Sequence, residues 1–327
     1  MVQNAIQLEF STIPPYLTAM ISLKPNQNRE IWNLIHEVVI EEMLHMTIAC
    51  NILNAIGGKP TLAAPDFLPR YPGPLPMGIG DLIVPLEKFS TDLMRRVFME
   101  IEEPEKPIDI PVVAMGAGAP PTFTTIGAFY LALKDKILEL GDGIIVGDIA
   151  RQVVPTTWFG EKISPINSAA EAADAIDLII EEGEGTPDSP FDPDGGYAHY
   201  YKFWEFAELR RIVVDDTAPD GFSFSGDAIP YDPDGVWDIA QNQKLVDLDP
   251  KSLAGRRASQ FSFVFTKLMI VLSATFDGKP DQFDAAMGLM FELKLAGQML
   301  VQLPEIRHGV PTGRNVGPVF EYSAIPR

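Results

Sequence analysis

The chain has 327 residues, of which 46% are hydrophobic and 21% charged. That is enough to bury a sizeable core and excludes wholesale disorder. The 25 basic residues stand against 45 acidic ones, a net charge of -20 whose field repels phosphate backbones and anionic lipid, so neither nucleic acid nor a membrane is an expected partner.

In chain order, Val2, Ile6, Phe10, Ile13, Leu17 and Ile21 recur at three- and four-residue steps and predict a helix over about 2–23. Its start lacks the basic region and apolar core of a signal peptide, and no apolar run approaches the roughly 20 residues of a bilayer span. Pro14 and Pro15, preceded by Ser11 and Thr12 as N-cap residues, predict a kinked helix or two short ones end to end. A turn at Lys24–Asn28 leads to a second helix over about 29–56, stopped by Gly57-Gly58-Lys59-Pro60. This helical hairpin carries the single cysteine, Cys50, which cannot form an internal disulfide and fits a reducing cytoplasm.

Residues 59–121 are proline-rich, with a helix expected over Thr91–Glu102, and read as the long crossover that a bundle needs when its second and third helices run parallel. Helical patterning resumes over about 124–140, and 142–155 reads as a short apolar, extended stretch. Further helices follow over about 168–184, opened by a Ser168/Glu171 capping box, and over about 197–213. Residues 215–254 read as irregular, then come helices over about 255–277 and 281–303 and a glycine- and proline-rich tail over 309–322. The expectation is one predominantly helical domain spanning 1–327.

The sharpest chemical feature is Glu42-Met43-Leu44-His45. A Glu and a His three apart lie about 60° apart around a helix and reach one metal from the same side. Carboxylate with imidazole suits iron or manganese. Glu9 sits in an otherwise apolar helix, 16 residues before Pro25, and Glu42 lies 17 after it, which levels the two acids across the hairpin. Two levelled acids and a histidine form half of a carboxylate-bridged dimetal site, so the other half is sought in another helix pair. Glu181 and Glu184, three apart, with His199 at the start of the adjoining helix, are the chosen candidates; Glu182 or Glu205 are the alternatives.

Several segments taken in order resemble a known family. Gln7-Leu8-Glu9 through Ile13-Pro14-Pro15-Tyr16-Leu17 is similar to the E-L-E-x-x-T-I-P-P-Y-L opening of the VioB-type ferritin-like family, the iminophenyl-pyruvate dimer synthase domain. Glu41-Glu42-Met43-Leu44-His45-Met46 resembles its E-E-M-x-H segment, and Thr125–Tyr130 its S-I-G-x-F-Y helix start. Ile180–Gly185 resembles its E-x-G-E-G stretch, and Gly317–Tyr322 its C-terminal G-P-x-F-E-Y. The resemblance implies a ferritin-like four-helix bundle with extra C-terminal helices and a non-haem iron site of two ions. Glu9, Glu42, His45, Glu181, Glu184 and His199 are the positions that match its motifs, and the spacing of E-x-G-E-G favours Glu181 and Glu184 over Glu182. The large additional region of full-length violacein-pathway synthases is lacking.

The expected function is therefore a cytoplasmic di-iron oxidoreductase using dioxygen on a small organic molecule, an amino-acid-derived amine or imine of secondary metabolism. Manganese shares the same ligands. The alternative is a metal-binding or ferroxidase-like protein without an organic substrate, and a homo-oligomer is compatible with either; a third reading is a structural partner that has lost its chemistry. Lesser features are read as structural. Asp192-Pro193-Asp194-Gly195 and Asp232-Pro233-Asp234-Gly235 are expected turns rather than calcium loops. Gly116-Ala117-Gly118-Ala119 lacks the third glycine of a dinucleotide fingerprint. His36 beside Glu37 is a surface pair or a support behind the ligands, the Pro14-Pro15 break is a packing feature, and Arg307, His308 and Arg314 are the basic groups that could meet a substrate carboxylate.

Overall fold

In this computed structural model the described residues are 1–64, 66–79, 82–103, 125–184 (backbone only at Glu184), 190–191, 195–217, 221–307 and 309–323. The Gly116–Ala119 and Asp192–Asp194 segments, His308 and the side chain of Glu184 lie outside them.

Helix α1 (Val2–Ser22) is buried along nearly its whole length and runs through Pro14 and Pro15 as one helix, not as the two short helices that are one of the two expectations from sequence. Proline removes the N–H that would reach the carbonyl four residues back. For Pro15 that carbonyl belongs to Ser11, and the Tyr71 hydroxyl donates to it at 2.6 Å. The carbonyl freed by Pro15 is thus satisfied by a side chain of the crossover. Helix α2 (Arg29–Ala55) packs antiparallel beside α1. It closes as its sequence predicts: Gly57 adopts positive φ, Gly58 N–H donates to Leu53 O at 2.8 Å and Gly57 N–H to Asn54 O at 3.0 Å.

The crossover contains helix α3 (91–101), opened by the Ser90 hydroxyl accepting from Leu93 N–H, with a π-helical turn over Met94–Phe98. Its apolar side meets the bundle through Phe98, which packs edge-on against both Tyr16 and Phe203. Helix α4 (Ile126–Leu140) is capped by Thr125 and pairs with α5 (Ala169–Glu184). Ser168 caps α5 at Glu171 N–H, while the Glu171 carboxylate accepts from Asn167 N–H. Between α4 and α5 the chain makes 3-10 turns at Gly141–Ile144 and Ile149–Arg151, not the expected extended stretch. Both amide atoms of Asn51 clamp the backbone of Val153 there.

Helix α6 (His199–Glu208) is shorter than the expected 197–213. Leu209 turns left-handed, and the Glu205 carboxylate captures Ile212 N–H at 2.7 Å, which ends the helix. Val213–Val214 then pairs with Phe222–Ser223 in a short ribbon. Asp232 forms the predicted turn by accepting from Asp234 N–H, and the loop docks on the α1–α2 turn through Asn28.

Helices α7 (Leu253–Phe276) and α8 (Phe283–Leu300) form an antiparallel pair against the hairpin. Among the described residues α7 is the one helix that by length and composition could cross a membrane, contrary to the reading of the sequence; here it is a core helix, with 56% of its most apolar stretch buried. The expected tail contains an antiparallel hairpin, Pro304–Arg307 with Val310–Asn315. Arg307 and Arg314 both turn to the fully buried Glu305 carboxylate, so the two arginines neutralise an internal acid. His36 stacks on Trp32.

Candidate metal centre

Glu9, Glu42 and His45 meet in the core, 4%, 2% and 2% exposed. Each lies mid-helix because the α1–α2 turn levels them, and one donor atom from each falls within 4.8 Å of the others. A second triad of the same tightness joins Glu42, Glu102 and His199. Glu42 therefore belongs to both.

The sequence-predicted residues divide accordingly. Glu9, Glu42, His45 and His199 come together. Glu181 is only partly buried and belongs to neither triad. One residue along α5, roughly 100° around the helix, Glu182 turns inward instead and places Oε2 at 2.8 Å from His45 Nε2. Glu205, the other alternative, accepts from Ile212 N–H and pairs with Arg211. Glu102 is the carboxylate that the sequence reading missed. It caps α3, four residues after the end of the π-helical turn, with its N–H on Phe98 O at 3.2 Å. A signal for it existed: it is an acid at the end of an apolar helical pattern, Leu93, Met94, Val97, Phe98 and Ile101.

Both imidazoles are held in the same sense. His45 Nε2 faces Glu182 at 2.8 Å, and His199 Nε2 faces Glu41 Oε2 at 3.0 Å. A carboxylate only accepts, so each Nε2 carries the proton and each Nδ1 is turned toward the triad. His45 Nδ1 lies 3.6 Å from Glu9 Oε2; His199 Nδ1 lies 3.0 Å from Glu42 Oε1 and 3.8 Å from Glu102 Oε1. Despite this closeness His199 Nδ1 has no hydrogen-bond partner of acceptable geometry and is completely buried. A buried nitrogen without a hydrogen-bond partner, aimed at two carboxylates, has the disposition that a metal ligand needs.

Buried hydroxyls orient the acids. Tyr130 donates to Glu9 Oε1, Tyr16 donates to Glu102 Oε1 at 2.5 Å, and the Thr12 hydroxyl lies 2.8 Å from Glu42 Oε2. Behind the histidines, Lys162 Nζ is 2.6 Å from Glu182 Oε1 and Lys202 Nζ 2.8 Å from Glu41 Oε2. The two outer acids are thereby compensated by lysines.

Among the described residues no lysine or arginine pairs with the inner acids, whose basic neighbours are the two imidazoles. Burial, then the nearby Glu102 carboxylate, pushes Glu42 up to about 7. Burial works against charge on His45, but the hydrogen bond to Glu182 and the neighbouring Glu9 carboxylate outweigh it and lift its pKa to about 10. His199 is also raised: burial opposes its charge, and Glu102, Glu41 and Glu42 overcome it. Burial likewise raises Glu182, yet His45 and Lys162 reverse the sign and leave it lowered. A buried cluster of acids thus raises the carboxyl at its centre and both imidazoles beside it, the setting in which a bound cation would be welcome. The donor set, carboxylate oxygens with imidazole nitrogens, fits iron or manganese.

A ferritin-like family model matches residues 2–208, which include every member of both triads. Among solved structures, a ferritin-like protein from Caulobacter vibrioides is similar with a TM-score of 0.65 at 22% identity, over 98% of this chain and 96% of that one. No curated protein matches. With most of the chain inside that model and the same fold in a solved structure, this protein belongs to the ferritin-like family.

Proposed function

We propose that the protein is a non-haem dimetal oxidoreductase that reacts with dioxygen. The observation that carries this reading is the sharing of Glu42 by two donor triads, each completed by one more carboxylate and one histidine. Glu9, Glu42 and His45 would hold one ion, and Glu42, Glu102 and His199 the other. A pair of iron ions bound there would supply the redox chemistry toward dioxygen.

The chain's own residues do the rest. Glu182 and Glu41 keep the Nδ1 atoms inward, Tyr130, Tyr16 and Thr12 fix the carboxylates, and the apolar walls of Leu8, Ile126 and Ile179 keep bulk water away. The segment resemblances described above support a VioB-type relation and, with it, an amino-acid-derived amine or imine as substrate. The lone, buried Cys50 supports a reducing, cytoplasmic setting.

A second reading, oxidation of the metal itself without an organic substrate, is favoured by one observation. The cavity beside the donors, as bounded by the described residues, measures about 20 Å³. One water-sized sphere takes roughly 10–15 Å³, so the space suits an ion with a small ligand rather than an aromatic ring. Anaerobic loading with ferrous iron, followed by metal analysis and oxygen uptake with and without amino-acid-derived amines, tests both. Two ions per chain with amine-dependent uptake supports the first reading, and uptake with iron alone supports the second. A chain that stays metal-free after loading defeats both.

A further inference from the structure

On the other side of the hairpin from the carboxylates, between it and the α7–α8 pair, lies a second cavity of about 30 Å³. Phe10, Met43 and Met46 in its wall directly follow Glu9, Glu42 and His45 in sequence, so they sit about 100° around the same helices from the donors. The cavity and the metal centre are thus two faces of one helix pair.

Its lining is apolar but for Thr47, whose hydroxyl donates to Met43 O at 2.7 Å. A buried water needs two to four polar partners, and this wall offers only the acceptor side of the Thr47 hydroxyl, so the cavity is dry. Its size, about 30 Å³, gives room for roughly two water-sized spheres, the span of a diatomic molecule and too little for a ring. Every lining residue is buried except Met290 on α8, which is partly exposed. A flexible thioether at the outer end makes an entrance that yields without backbone movement.

We propose that this cavity binds dioxygen, holding it against the helix pair that carries the metal centre. The binding of a small apolar molecule stands on the cavity alone; its role as an oxygen store rests on the proposed oxidoreductase function.

Xenon serves as the probe, followed by the methyl resonances of the methionines in the intact chain under gas pressure. Saturable shifts are expected at Met43, Met46, Met287 and Met290, which line the cavity, and not at the buried Met94 and Met99 of α3, which do not. Leu272→Phe and, separately, Met287→Phe should each abolish those shifts. In the ferrous-loaded chain the folded filled variant should react more slowly at low oxygen with unchanged metal content. Absence of saturable shifts in the unmodified chain, equal shifts at Met94 and Met99, or an unaltered oxygen reaction in a filled variant that has lost xenon would each overturn the proposal. Xenon binding needs no metal, so a chain that binds xenon but no iron would sink the oxidoreductase reading while leaving the cavity's ligand class standing.

Discussion

Glu42 Oε1 on α2 and His199 Nδ1 at the start of α6 stand 3.0 Å apart, without a hydrogen bond between them. The contact joins the hairpin to a helix far along the chain, and it places Glu42 between two imidazoles. Its consequences for metal binding differ from those of every other donor.

Removing the shared acid should empty both positions, whereas removing a terminal histidine should empty one. Glu42→Ala is expected to lower metal content from two ions per chain toward none, and His45→Ala or His199→Ala toward one. Elemental analysis after ferrous loading reads the stoichiometry directly. Equal losses in all three variants would contradict the shared-ligand arrangement.

Glu102 and Glu181 separate the folded arrangement from the reading of the sequence. Glu102→Ala removes a member of the second triad and should halve the metal content, while Glu181→Ala should leave it unchanged. The reverse result would return the second position to the α5 motif.

Tyr130, Tyr16 and Thr12 act on the ligands and not on the ions. Tyr130→Phe or Tyr16→Phe leaves the carboxylate in place without its hydroxyl donor. Partners of this kind are typically worth 10–100-fold in metal affinity, so competition with a chelator should show a loss of that order while stoichiometry at saturation stays at two. Glu182→Gln should behave alike, because an amide in place of the carboxylate no longer fixes the proton on His45 Nε2.

How far the sequence could be read depended on where the information lies. The periodic helices α1, α2, α7 and α8 were legible because their apolar spacing is set locally, and Glu9, Glu42 and His45 followed because a regular hairpin fixes their level. Glu102 was hidden by its setting: it ends a helix in a proline-rich crossover, and tertiary packing, with Phe98 on Tyr16 and Phe203 and the Tyr16 hydroxyl on its carboxylate, brings it to the core. The choice between Glu181 and Glu182 is a rotation of about 100°, which tertiary packing of α5 decides and motif spacing does not. The end of α6 was lost for a similar reason, since Glu205 captures the following backbone instead of a metal.

Glu205 accordingly gives a stability prediction free of the metal. It is fully buried, accepts from Ile212 N–H and pairs with Arg211. Glu205→Ala should destabilise the fold by about 1–3 kcal/mol through the donors left unsatisfied, with metal content retained in the folded fraction. Urea unfolding beside elemental analysis distinguishes this from a ligand role, which would cost metal first.

The unbroken course of α1 makes the last prediction. Pro15 deprives the Ser11 carbonyl of its helical donor, and the Tyr71 hydroxyl takes that place at 2.6 Å. Tyr71→Phe should therefore cost about 1–3 kcal/mol, the penalty for a buried acceptor left without a partner. The cost belongs to the pair of residues rather than to the tyrosine. In a Pro15→Ala background the restored N–H reaches Ser11 O, so the same Tyr71→Phe change should cost distinctly less. A double-mutant cycle in urea measures this as a coupling energy, expected on the order of 1 kcal/mol for groups that share one acceptor. Additive losses would mean that Tyr71 holds the crossover by its ring alone, and that α1 tolerates its prolines without a substitute donor.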